Sequence, residues 1–252
     1  MKKELVASKK LAISQSNYIP WKGYFDMINM VDEFVFYDDV QYTNQDWRNR
    51  NKIKTQNGPE WLTIPVGKDI NRLINEVQIK DHSWQKKHWG KILHNYRMAP
   101  YFKEYKELFE EIYLNTIWTN LSELNQHIIK KISIDIFGIT TKFTDSRSFN
   151  LSGKKEKRYI PLIKLLGATE YISGPSAKDY LTEEMLEKDA VKLIWLDYTN
   201  YSEYNQKFPP FKHDVSILDL IFNEGHNAKK YMMSFKSKSP EVIRKGKNDF
   251  TI

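Results

Sequence analysis

The densest set of reactive side chains in the chain occupies fourteen consecutive positions: Asp38, Asp39, Gln41, Asn44, Gln45, Asp46, Arg48, Asn49, Arg50 and Asn51 crowd between residues 38 and 51. They follow the apolar run Phe34-Val35-Phe36-Tyr37 directly. A carboxylate just beyond a buried strand can order a substrate hydroxyl or amine, or hold a metal. Arg48 or Arg50 can clamp a phosphate or carboxylate through paired N–H donors. In this reading Asp39, with Asp38 beside it, is the general base. Arg50 holds a phosphate, Asn49 or Asn51 orients a reacting carbonyl, and Gln41 and Arg48 complete the binding set. The competing reading is an internal Asp–Arg ion pair that staples this loop to the hairpin that follows.

Two further loops carry candidate groups. Gln15 to Gly23 follows the first apolar run, with Gln15, Tyr18, Gly23 and Tyr24 as candidate substrate contacts. The segment Ser16-Asn17-Tyr18-Ile19-Pro20-Trp21-Lys22-Gly23-Tyr24 distantly resembles the HxGH loop of nucleotidyl transferases and pantothenate synthetase-like enzymes, but Trp21 and Tyr24 stand where the histidines would be. The usual phosphate donors are therefore missing. In the stretch 173–180, Ser173, Gly174 and Ser176 can cradle an anion with hydroxyls and backbone N–H groups. An ordinary strand-to-helix turn explains that stretch equally well.

Six histidines are present, at 82, 88, 94, 127, 213 and 226. None has a metal-ligand spacing, so no metal is expected. An acid/base role for His88 or His213 is open, against the commoner fate of a packed or surface imidazole. The chain has no cysteine, which removes thiolate catalysis on its own residues. GxGxxG, Walker A and GxSxG patterns are absent and no cofactor is expected.

These loops need elements to hold them. Leu11 to Gln15 reads as a strand, Trp21 to Val31 as a helix with Pro20 at its start, and Glu33 to Tyr37 as a second strand. Such a βαβ unit has parallel strands buried on both faces. Asn49 to Lys54 and Glu60 to Val66 flank Gln56-Asn57-Gly58-Pro59, a hairpin signal, and Leu73 to Lys80 is expected as a third strand. Helices are expected at 83–98, 100–115 and 121–138, the last capped by Asn120 or Ser122 and ended by Gly138. Alternation then resumes with strands at 140–145, 170–173 and 191–198, and helices at 155–167 and 182–188. Helices at 216–223 and 226–235 close the chain. The fold class is α/β: a Rossmann-like, mostly parallel sheet flanked by helices, with an antiparallel hairpin extension and a helical insert at about 83–138, all in one domain over 1–252. In such sheets ligands bind beyond the carboxyl ends of the strands, where the three loops lie.

The net charge of +7 suggests nucleic acid until it is partitioned. Residues 1–10 carry +3 and residues 229–252 carry +5, which leaves the body at −1. The excess sits in two ends expected to be mobile, so no nucleic-acid partner is expected. No run approaches the length of a membrane span and no apolar segment follows the N-terminal lysines, so the chain is read as cytoplasmic. Fifteen Tyr and seven Trp are expected chiefly as packing.

The stretch AISQSNYIPWKGYFDMINMVDEFVFYDDVQYTNQDWRNRNKIKTQNGPEWLTIPV resembles the opening of WbqC-like proteins, approximately QPxYxPxxGYFxLIxxxDxFVxYDDVxxxxxxWxNRNxI followed by a hairpin ending in a TIPV-like strand. HSWQKKHWGKI, Tyr101-Phe102, LLGATEYISG and HDVSILDLIFN extend the likeness over nearly the whole chain. Ser16 departs from the family's usual proline. The resemblance implies a step in bacterial surface glycan synthesis, O-antigen or capsule. Joined to the loop chemistry, it makes the first expectation a transferase moving an acyl or aminoacyl group to an amino sugar, with a nucleotide sugar and an acyl or aminoacyl donor as small-molecule partners. A nucleotide-dependent ligase or nucleotidyl transferase is the second expectation, and a non-catalytic scaffold of a glycan assembly complex the third. Oligomeric state is not read from the sequence.

Overall fold

A computed structural model of the protein describes residues 8–153 and 156–236. Most of the basic ends, residues 1–7 and 237–252, lie outside the described residues. Within them, Lys9 pairs with Glu33 at 2.8 Å, and Lys10 already belongs to the first strand, so the ordered body starts before residue 10.

The opening unit forms as the periodicity dictates. Strand β1 (Lys10–Ser14) leads through helix α1 (Lys22–Asn29) to β2 (Glu33–Phe36), and β1 and β2 pair in parallel with Leu11 opposite Glu33. Successive side chains go to opposite faces. Ala12, Phe34 and Phe36 enter the larger core, whereas Leu11 and Val35 enter a smaller one on the other side. Burial on both faces is why these strands read as unbroken apolar runs.

Strands β3 (Arg50–Thr55) and β4 (Gly58–Thr63) form the expected antiparallel hairpin, but its two-residue turn is Gln56-Asn57. Gly58 follows in the left-handed region at φ 102°, which a side chain would oppose. The third strand expected over 73–80 does not form. That stretch makes a short 3₁₀ turn, Ile74–Glu76, and its β pairing is limited to the isolated bridges Gln41↔Leu73 and Gln78↔Asn120. Its apolar residues Ile74, Val77 and Ile79 are buried in the larger core, so packing rather than a strand ladder claims them.

Helices α2 (Ser83–Tyr96), α3 (Phe102–Glu110) and α4 (Leu121–Lys131) follow, the last two ending in π-helical turns at Glu111–Asn115 and Ile132–Ile136. The Asn120 side chain accepts from the Glu123 N–H as the α4 cap, and Gly138 takes φ 58° where the helical run stops. Then come β5 (Lys142–Asp145), α5 (Glu156–Leu165), β6 (Glu170–Ser173), α6 (Glu183–Glu187), β7 (Lys192–Trp195), α7 (Ile217–Glu224) and α8 (Met233–Lys236). The single helix expected over 226–235 divides into a 3₁₀ turn at Gly225–Tyr231 and the short α8. Asp26 of α1 causes the break: its carboxylate accepts from the backbone N–H groups of Met233 and Ser234 at 2.9 and 2.8 Å and caps a new start there.

All five strands of the main sheet are parallel, in the order β5-β2-β1-β6-β7. Counting only these five, the order is 3-2-1-4-5, with the direction in which successive strands are added reversing between β1 and β6. That junction is where loops from neighbouring strands must splay apart and open a crevice.

Candidate functional site

A cavity of about 1180 Å³ opens beyond the carboxyl ends of β1, β2 and β6. Ser14 and Gln15 line it from β1, Tyr37 and Asp39 from β2, and Ser173 and Gly174 from β6, so it occupies the reversal point of the sheet.

The first two loops meet there. The Tyr18 N–H donates to the Trp47 carbonyl at 2.9 Å, and Arg48 donates through Nη1 to Asn17 Oδ1 at 3.0 Å and through Nη2 to Gln15 Oε1 at 2.8 Å. At the tip Ile19 sits at φ 36°, an unfavourable conformation for a β-branched residue. Asn51 holds it there by donating to the Tyr18 and Ile19 carbonyls at 3.1 and 2.9 Å.

Asp39 reaches the cavity, and its partner comes from far along the chain. Arg158, in the first turn of α5, donates from Nη1 to the Asp39 carbonyl at 2.7 Å and from Nη2 to the Asp39 carboxylate, while Ser146 donates its hydroxyl to the other carboxylate oxygen. Asp39 thus forms an ion pair with Arg158 of α5, not the expected pair within the segment that would staple loop to hairpin; inside the segment Arg48 lies 3.6 Å from the Asp46 carboxylate. The Arg158 guanidinium lies 5.4 Å from the centroid of the Tyr37 ring. Among the described residues the buried Tyr37 hydroxyl has no hydrogen-bond partner, and burial pushes its pKa up to about 12, so it stays protonated. Arg72 also lines the cavity, leaning 5.3 Å over Tyr42 and donating to the Asp69 carbonyl at 3.0 Å. Among the described residues it has no carboxylate partner.

Three guanidinium groups therefore face one space against the carboxylates of Asp39 and Glu76, among the rings of Trp21, Tyr24, Trp47, Tyr180 and Tyr198. Such a lining suits an elongated anion with a flat ring. Among the described residues no group of three or more His, Asp or Glu could hold a metal ion.

Of the residues singled out from the sequence, Gln15, Tyr24, Asp39, Gln41, Arg48, Ser173, Gly174 and Ser176 line the cavity. Seven do not. Asp38 is fully buried; its carboxylate accepts from the Ser16 N–H at 2.8 Å, from the Ser122 hydroxyl and from Gln126 Nε2 at 3.2 Å. Those donors make it a tie between β2, the first loop and α4. His88 is buried against Tyr18 and Trp84; its Nδ1 bonds the Tyr18 hydroxyl at 2.8 Å, and that hydroxyl bonds Tyr113 at 2.7 Å. Burial pushes its pKa down to about 3, which keeps it neutral and removed from acid/base work in the cavity. Asn49 donates to the Ile64 carbonyl at 3.0 Å, and Asn51 is spent on the loop tip. Arg50 lies 4.2 Å over the ring of Trp61, outside the cavity lining.

Gly23 serves its neighbour. A Cβ there would come within 2.3 Å of the Trp21 indole, which folds back over it. Gly23→Ala is expected to displace that indole, which lines the cavity. A changed tryptophan emission spectrum with folding preserved would record it, and an unchanged spectrum would contradict it.

Sequence reasoning missed Arg158, Arg72, Tyr37, Asn17 and Tyr198. Arg158 had a usable signal, since the first turn of a helix after a parallel strand faces the strand ends. Arg72 had none.

The sequence model of the WbqC-like protein family matches residues 15–231. Uncharacterized protein Rv1507c of Mycobacterium tuberculosis is 44% identical over 227 residues, covering 89% of this chain and 97% of its own length. No solved structure matches. Among the described residues no helix is long and apolar enough to cross a membrane.

Proposed function

The chain belongs to the WbqC-like protein family, and from that premise we propose that it is an enzyme of bacterial surface-polysaccharide synthesis, O-antigen or capsule, that transfers an acyl or aminoacyl group to the amino group of a nucleotide-linked sugar. The observation that carries this reading is the convergence of Arg48, Arg72 and Arg158 on one aromatic-walled cavity at the reversal point of a parallel sheet. Guanidinium forks match the diphosphate of a nucleotide sugar, and tyrosine and tryptophan rings suit its base and sugar. The volume, about 1180 Å³, is somewhat above the roughly 300–1,000 Å³ common for ligand sites, which leaves room for an extended ligand.

In the transfer, the sugar nitrogen attacks the acyl carbonyl carbon. A C–N bond forms, the bond to the donor's leaving group breaks with its electron pair, and the nitrogen gives up one proton. Asp39 keeps acceptor capacity beyond its bonds to Arg158 and Ser146, because each carboxylate oxygen can accept twice. It takes the amine's hydrogen bond and then its proton, while Arg158 fixes its orientation.

Calorimetric titration with UDP- and dTDP-amino sugars tests the binding step, and mass spectrometry after adding acyl and aminoacyl donors tests the transfer. Arg48→Met is expected to weaken nucleotide-sugar binding by about 10- to 100-fold, the worth of a charged hydrogen-bonded contact. Absence of saturable binding in the unaltered protein would overturn the reading.

A further inference from the structure

A second cavity, of about 310 Å³, lies on the other side of the loop tip. Pro20, Trp21 and Trp47 supply its rings, and His213 and Asp214 stand at its edge. Asn17, Trp21 and Trp47 line both cavities, so the two adjoin across this wall. Resting on the transferase reading above, we propose that this smaller cavity receives the uncharged acyl portion of the group donor, next to the amino sugar in the larger one.

Size excludes a nucleotide here, because about 310 Å³ is the bottom of the usual range for ligand sites. Ring character favours an apolar group: two indoles and a proline offer broad surface for dispersion contact and little that needs water. The charges at the edge are already matched. Asp214 pairs with Lys52 at 2.6 Å, leaving no unpaired carboxylate in the lining for an ammonium. Burial and the nearby Lys22 lower the pKa of His213, so it brings no fixed positive charge for an anion near neutral pH. Asn51 has both ends of its amide engaged, with the Tyr18 and Ile19 carbonyls and with the Lys52 N–H.

The polar group that remains is Asn17, at the junction. Its Oδ1 accepts from Arg48 at 3.0 Å, and its Nδ2 has no acceptor among the described residues. That nitrogen is the donor for an acyl carbonyl oxygen lying between the two cavities. An aminoacyl group would have to desolvate its ammonium with only the indole faces to attract it, since the one carboxylate in the lining is already paired with Lys52. The geometry therefore selects an acyl over an aminoacyl donor.

A matched pair of small probes tests this. Propionamide and glycinamide are nearly equal in size, but glycinamide carries an ammonium. The full chain is labelled with 5-fluorotryptophan, and the Trp21 and Trp47 signals are assigned in ¹⁹F spectra through Trp21→Phe and Trp47→Phe. Propionamide is expected to shift those two signals saturably, with glycinamide at least about tenfold weaker. His213→Tyr, a change at an exposed position that narrows the opening, is expected to weaken the propionamide shift. Equal binding of the two probes, shifts confined to other tryptophans, or indifference to His213→Tyr would each overturn the proposal. A nucleotide-sugar titration of the same sample separates the two readings. Failure of the sugar to bind with the propionamide shift intact sinks the transferase reading alone, whereas loss of the shift with sugar binding intact sinks the acyl pocket alone.

Discussion

Asp38→Ala is expected to destabilise the protein by about 3–5 kcal/mol, the range for leaving charged-group partners unsatisfied in a core. The carboxylate is fully buried and takes the Ser16 N–H, the Ser122 hydroxyl and the Gln126 amide. Alanine strands all three donors in the interior. The second consequence is positional: Ser16 lies between Gln15 and Asn17, both of which Arg48 holds. Loosening it should weaken nucleotide-sugar binding as well. Urea unfolding reads the first effect as a lower midpoint at unchanged slope. Asp39→Asn is the contrast, since Asp39 faces the cavity and is held by Arg158 and Ser146; it should impair ligand binding with a smaller loss of stability. Equal midpoints for Asp38→Ala and the unaltered chain would refute the structural role given to Asp38.

Acid should unfold this protein partly through His88. In the fold, burial lowers its pKa from the ordinary 6.5 to about 3. Between those values the unfolded chain binds a proton that the folded chain does not, so stability rises with pH and is lost as pH falls from about 6.5 toward 3. The slope from this group is roughly 1.4 kcal/mol per pH unit, or about 5 kcal/mol across the window. His88→Gln removes the titrating group while keeping an acceptor for the Tyr18 hydroxyl. Its stability should depend less steeply on pH over that window even if its stability at pH 8 is lower. Parallel curves for the two proteins would rule out His88 as a source of the acid sensitivity.

Much of the frame was legible along the chain because it rests on local periodicity. The runs at 11–15 and 33–37 alternate their side chains between two cores, and a helix fits between them only as a βαβ unit. The segment 73–80 misled because apolar residues buried by packing resemble those buried in a ladder. The continuous helix expected over 226–235 failed for a nonlocal reason, the capping carboxylate of Asp26 some two hundred residues earlier.

By itself the sequence determined that this is a parallel α/β chain without cysteine chemistry and that its polar loops stand at strand ends. It could not say which loop residues face a ligand. Asp38 and Asp39 are neighbours of one residue type, yet one is locked to α4 and the other looks into the cavity. Consecutive side chains leaving a strand diverge, and only the packing around them decides which side is solid and which is open. Arg48, Arg72 and Arg158 likewise become one site only when the order β5-β2-β1-β6-β7 brings separate stretches together. Local propensity acts over a few residues, whereas that convergence is set by which strands pair.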